Sequence, residues 1–125
     1  MVSNQYANLK AIELIKQILE IPNARHYSVP HSNFTRDMFG MWDVIMEYDN
    51  GFVFIALTKH EQLKQNIERH GLLDINNYYH HDGVTYVIAS WKRVKNHIQI
   101  SIYQLIPDFN KQVVYMCQEY PSMVG

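Results

Sequence analysis

Apolar positions along this chain recur at two different periods. Between residues 3 and 20, Leu9, Ile12, Ile15 and Leu19 return every three or four positions, and Ala11, Leu14 and Ile18 widen the stripe. That spacing predicts a well-buried amphipathic helix, capped by Ser3 or Asn4 and stopped by Pro22 and Asn23. Residues 21–37 carry two prolines and several polar side chains, and read as a loop with a short strand over His26 to Val29. The period then drops to two. Asp43 to Tyr48 and Phe52 to Thr58 are rich in β-formers and flank Asn50-Gly51, a hairpin signature. A helix is expected from Lys59 to His70, with Leu63 and Ile67 facing inward and Gly71 ending it. Residues 72–83 read as a polar loop. Val84 to Trp91 and His97 to Ile106 read as strands joined by the basic stretch Lys92-Arg93-Val94-Lys95. Pro107 should interrupt, and Gln112 to Tyr120 forms a last β segment. The order α-β-β-α-β-β, with extra β pieces, predicts an α/β (α+β) domain: one mixed sheet flanked by helices on a single core spanning residues 1–125.

Composition narrows the class without deciding function. Hydrophobic residues make up 47% and charged residues 18% of 125 residues, which suits one globular domain rather than a disordered chain. No apolar run is long enough to span a bilayer and no signal-like core follows the N-terminus, so a cytoplasmic protein without a membrane partner is expected. The formal net charge of −1 lends no support to nucleic-acid binding by bulk charge, although it leaves room for a local basic patch. Seven scattered histidines and the single Cys117 match no zinc spacing, and Cys117 reads as a buried, inert strand thiol.

Residues 36–60 hold the candidate chemistry. With Asn50 and Gly51 as the hairpin loop, Thr58 pairs with Asp43 and Ala56 with Ile45. Asp43, Ile45 and Glu47 then share a sheet face with Phe54, Ala56 and Thr58. A strand-end carboxylate next to polar neighbours is one way to hold Mg²⁺, which takes hard oxygen ligands, and a nearby lysine can activate the attacking water.

The pattern Arg36-Asp37-x-Phe39-Gly40-x-Trp42-Asp43-Val44-Ile45, followed by a glycine-bearing turn, an apolar strand, polar residues and a helix, resembles the PD-(D/E)xK nuclease-like superfamily. Its small Holliday-junction-resolvase-like and phage members are the nearest in pattern, so an origin in a phage or mobile element is an expectation of the resemblance. It spans residues 9–104, with its sharp part confined to about 25 residues. The resemblance implies a restriction-endonuclease-like core with Asp43 as first metal ligand, Ala56 where a second carboxylate or glutamine is expected, and Thr58 where a lysine or threonine is expected. Lys59 falls one residue late, Glu13 on the first helix is a candidate extra metal ligand, and Gln62 is a candidate auxiliary polar residue.

Three functions follow. The first is a nuclease-fold accessory or binding protein that has lost catalysis and engages nucleic acid or a protein partner. The second is a Mg²⁺-dependent endonuclease or junction resolvase, with Asp43, Thr58 and Lys59 in catalysis and Asp43 on the metal with Glu13 or Glu47 as the second carboxylate. The third is a protein-interaction module using Tyr78 and Tyr79. Arg36, Lys92, Arg93 and Lys95 are the candidate phosphate contacts; Trp91 beside them could stack on a base, although a core tryptophan at a strand end is the commoner case, and a homodimer would suit a two-fold symmetric junction.

Overall fold

A computed structural model describes residues 4–28 and 42–124. It contains helix α1 (Asn4–Ile18), strands β1 (Arg25–Ser28), β2 (Val44–Tyr48) and β3 (Gly51–Lys59), a 3₁₀ turn (His60–Gln62) running into helix α2 (Leu63–Arg69), a second 3₁₀ turn (Ile75–Asn77), and strands β4 (Val84–Val94), β5 (His97–Asp108) and β6 (Val113–Val124). The six strands form one mixed sheet in sequential order. All neighbours are antiparallel except β3 and β4, which run parallel because α2 and the 72–83 segment carry the chain back between them. The expected mixed α/β architecture is therefore present, and both extra β pieces are full members of the sheet.

Each face of the sheet has its own cover. On one face, Ala7, Ala11, Ile12, Leu14 and Ile15 of α1 pack on Val44, Met46, Val53, Ile55, Val87, Ala89, Ile98, Ile100 and Ile102. Leu9, expected in this stripe, is exposed, and Ala7 takes the inward position. On the other face, Trp42, Ala56, Leu72, Tyr78, Tyr86, Ile88 and Leu105 pack together with Leu63 and Ile67 of α2. The segment 72–83 is less loop-like than its polarity suggested. Leu72, Ile75 and Tyr78 anchor it in the core, and the Asp74 carboxylate accepts the Asn76 N–H at 2.9 Å to start its 3₁₀ turn.

The β2–β3 hairpin has a different register from the one the Asn50-Gly51 signature implied. Tyr48 pairs with Gly51, so Asp49 and Asn50 form the turn, and Ile45 faces Phe54 rather than Ala56. The slip is by two, so every side chain keeps its predicted face. Gly51 is needed for another reason. A Cβ there would lie 1.8 Å from the Gly83 carbonyl oxygen, at the point where the chain enters β4, and the Gly83 carbonyl accepts the Phe52 N–H at 2.8 Å. Pro107 does not interrupt β5. It sits one residue from the strand end, opposite Val114, where a missing N–H is tolerated. β4 runs on through Val94, so the basic stretch is part of a strand and its hairpin tip rather than a loop.

Candidate functional site

Strand direction sorts the charged residues. β3 and β4 both finish at the same end of the sheet, where β5 begins. Lys59 closes β3 and stands opposite Trp91, next in line to Lys92 and Arg93 on β4. Val94 pairs with His97, which makes Lys95 and Asn96 the hairpin tip, and Lys95 adopts a φ of 57° there. The three cations of the 92–95 stretch thus gain a fourth, Lys59, from 33 residues before Lys92 in the chain. Lys92, Arg93 and Lys95 are exposed and Lys59 is half-buried. Among the described residues, Asp43 and Glu61 are acids near this end. The opposite end, made by the β2–β3 turn, the entry to β4 and the β5–β6 turn, carries Glu47, Asp49, Asp82 and Asp108 with Arg25 and Lys111. The near-zero total charge therefore conceals a polar distribution with a cationic and an acidic end.

Trp91 is buried on the α1 face, and the Lys59 ammonium lies 5.9 Å from its ring centroid. Trp91 is thus the core tryptophan its strand-end position suggested, its covered face leaves no room to stack on a base, and it supports Lys59 by a cation–π contact. On the other face, Thr58, Ser90 and Ser101 form a row of buried hydroxyls across β3, β4 and β5. The Thr58 hydroxyl donates to the Lys59 carbonyl at 3.1 Å and accepts from the Asn66 amide of α2 at 2.5 Å, which ties the helix to the strand end. The Ser90 hydroxyl is buried with no hydrogen-bond partner among the described residues. Such a group costs about 1–3 kcal/mol unless a small polar molecule reaches it. Only register could have assembled this row, because its members are 32 and 11 residues apart in sequence.

The residues assigned to a metal do not converge. Asp43 is not opposite Thr58. Its backbone N–H donates to the Ile55 carbonyl at 2.8 Å and its carboxylate accepts the Leu57 N–H at 2.8 Å. The carboxylate replaces the backbone acceptor that β2 no longer supplies beyond its first residue, so it finishes the β2–β3 ladder. Glu13 belongs to α1, which covers the face opposite the one that carries Ala56 and Thr58. Its side chain is 61% exposed and pairs with Lys10 at 3.4 Å. Among the described residues, no three His, Cys, Asp or Glu side chains form a group able to hold a metal ion. Gln62 is exposed at the end of the 3₁₀ turn. Arg36 and Asp37, with Phe39 and Gly40, lie outside the described residues.

An aromatic cluster fills the face where the metal site was expected. Trp42 lies 6.1 Å from Phe54, 5.4 Å from Tyr86 and 6.4 Å from Tyr78, and Tyr78 meets Tyr86 edge-on at 4.7 Å. The Tyr78 hydroxyl donates to the Leu72 carbonyl, and the Tyr86 hydroxyl accepts the Tyr79 N–H at 3.2 Å. Burial, followed by the nearby Tyr86, pushes the Tyr78 pKa far above the ordinary tyrosine value. Burial also raises that of Tyr86, while the Tyr79 N–H pulls it down. Of the two tyrosines assigned to a protein interface, Tyr78 is a core residue and Tyr79 is exposed. Likewise Cys117 is exposed on β6, not buried. An open depression of about 760 Å³ at the acidic end is lined by Arg25, Glu47, Asp49 and Phe52 among others, and of the predicted site residues it includes Glu47 alone, at the end of β2 away from Asp43. None of the described helices is long and apolar enough to cross a membrane. No family model, no curated protein and no solved structure matches this chain.

Proposed function

We propose that the protein is a nucleic-acid-binding accessory module with a nuclease-like fold and no hydrolytic activity, which grips the phosphate backbone through Lys59, Lys92, Arg93 and Lys95. The observation that carries this reading is the strand register that sets Lys59 beside the β4–β5 basic hairpin at one end of a sheet that carries Glu47, Asp49, Asp82 and Asp108 at the other. Cations on a projecting hairpin tip suit phosphate contacts, which give affinity without reading sequence. The non-catalytic half of the reading rests on Asp43 and its surroundings. Its carboxylate is spent on the Leu57 N–H, Ala56 offers no ligand, and Trp42, Phe54, Tyr78 and Tyr86 occupy the face a Mg²⁺ site would use. The likeness to PD-(D/E)xK nucleases stays part of this proposal and rests on the sequence pattern around Asp43.

Fluorescence anisotropy on labelled duplex, single-stranded and four-way-junction DNA, repeated over a salt series, tests it. Binding should weaken steeply with salt. Lys92→Glu and Arg93→Glu should weaken it on all substrates alike, while neutral Lys95→Gln should lower the salt slope by about 1. Unchanged affinity in the charge-reversal variants would remove the hairpin from the interface. Divalent-metal-dependent cutting that vanishes in Asp43→Ala would overturn the non-catalytic reading.

A further inference from the structure

The β4–β5 hairpin reaches past its neighbours in the sheet. β3 ends where Lys59 meets Trp91, whereas β4 runs three residues further, which is about 10 Å of strand. On the other side, β6 follows β5 only to the level where Ile98 meets Val124. Ile98, opposite Arg93, is fully buried, while Lys95, Asn96 and His97 beyond it are exposed. The charge of this projection has one sign: from Gly83 to Pro107 the chain carries no carboxylate. Its cations are divided between the two faces of the sheet. Lys92 follows Ile88 and Ser90 on the α2 face, opposite Gln99. Arg93 follows Trp91 on the α1 face, which also carries Lys59.

We propose that this projection enters the major groove of a B-form DNA duplex, with Lys92 reaching the phosphates of one strand and Arg93 and Lys59 those of the other. The inference rests on the phosphate-binding reading above and names the form of nucleic acid and the way it is gripped. A single strand, or any flat array of phosphates, lies against one face of a sheet and leaves either Lys92 or Arg93 unused. Two phosphate rows flanking a cleft use both. The dimensions agree. A sheet with its side chains is about 10 Å thick, against a major groove about 12 Å wide and a minor groove about 6 Å wide. The three residues by which β4 outruns β3 match a major-groove depth of about 8.5 Å. An A-form RNA duplex offers no such entry, because its major groove is too narrow for side chains to read. With no carboxylate between Gly83 and Pro107, nothing on the hairpin repels either phosphate row.

The test is fluorescence anisotropy over a salt series on three duplexes of equal length, with circular dichroism to verify the fold of each variant. The first is plain DNA. The second is the same DNA with glucosylated 5-hydroxymethylcytosine at every cytosine, which fills the major groove with uncharged sugar and leaves the phosphates unchanged. The third is RNA of the same sequence. The filled DNA and the RNA should bind about tenfold more weakly than plain DNA, or weaker still. On plain DNA, Lys92→Ala and Arg93→Ala should each lower the salt slope by about 1. Equal binding of plain and filled DNA overturns the inference and leaves the phosphate-binding reading standing. So does RNA bound as tightly as plain DNA, or a slope lowered by only one of the two substitutions, since that means one face against the phosphates. Failure to bind any of the three in a salt-dependent way overturns both.

Discussion

The two faces of the sheet are covered by different means. The α1 face is aliphatic: one four-turn helix lays Ala7, Ala11, Ile12 and Ile15 onto rows of Val and Ile, with Trp91 its one buried aromatic among the described residues. The α2 face is aromatic: a two-turn helix is too short to cover it, and Trp42, Tyr78 and Tyr86 fill what it leaves open. An aliphatic face needs shape alone. An aromatic face also has polar atoms to satisfy, and here the Tyr78 and Tyr86 hydroxyls bond to backbone groups of the 72–83 segment and so hold that segment against the sheet. The lesson is that a face can look like a site from its acids and hydroxyls while its bulkier neighbours make it a core.

The largest effect is expected at Trp42. Trp42→Ala should cost about 3–5 kcal/mol in urea unfolding, as much as Ile100→Ala on the aliphatic face or more, because three ring contacts go with it. A loss under about 1 kcal/mol would mean that the aromatic face is loose cover, and a ligand cavity there would return as a possibility. Asp43→Ala comes next. It leaves the Leu57 N–H without its acceptor and should cost about 1–3 kcal/mol. Asp43→Asn, which keeps an acceptor oxygen, should recover much of that. A metal-ligand role would instead leave stability untouched or improved in Asp43→Ala, since removing a clustered charge relieves repulsion.

Tyr78 makes the stability of the aromatic face depend on pH. Its folded pKa is raised by burial and then by Tyr86, while the unfolded chain loses the proton near pH 10. The folded state therefore holds protons that the unfolded state releases, and stability falls as pH rises above about 10. Chemical unfolding followed between pH 8 and 11 should show this decline. Tyr78→Phe should blunt it, at a cost of about 1 kcal/mol at neutral pH for the lost bond to Leu72. The smallest effect is expected from Glu13→Gln. The Lys10 pair is exposed on the outside of α1, and stability should change by no more than about 0.5 kcal/mol.

Much of the architecture was legible because it follows from local chemistry. The apolar stripe of residues 3–20 gave α1 to within two residues at either end, Gly71 ended the second helix region, and the alternation on either side of the hairpin placed Phe54, Ala56 and Thr58 on one face. Even the misplaced turn preserved that face, since a slip of two residues leaves a period of two unchanged. Pairing was harder to read. Asn50-Gly51 carries the usual hairpin signal, but the glycine is needed for the approach of Gly83, 32 positions away in the chain, and local reading could not have known it.

The candidate chemistry shows the same division. That Lys92, Arg93 and Lys95 form a basic cluster is written in consecutive positions. The chain's own sequence thus determined the elements, their amphipathic faces and the existence of a concentrated basic stretch, because spacing and side-chain type act over a few residues. Only the tertiary structure decided that Lys59 joins that cluster, that Glu13 and Asp43 part company, and that Tyr78 is core while Cys117 is surface. Those outcomes depend on strand register and on which helix covers which face, and both are settled by contacts between residues far apart in the chain.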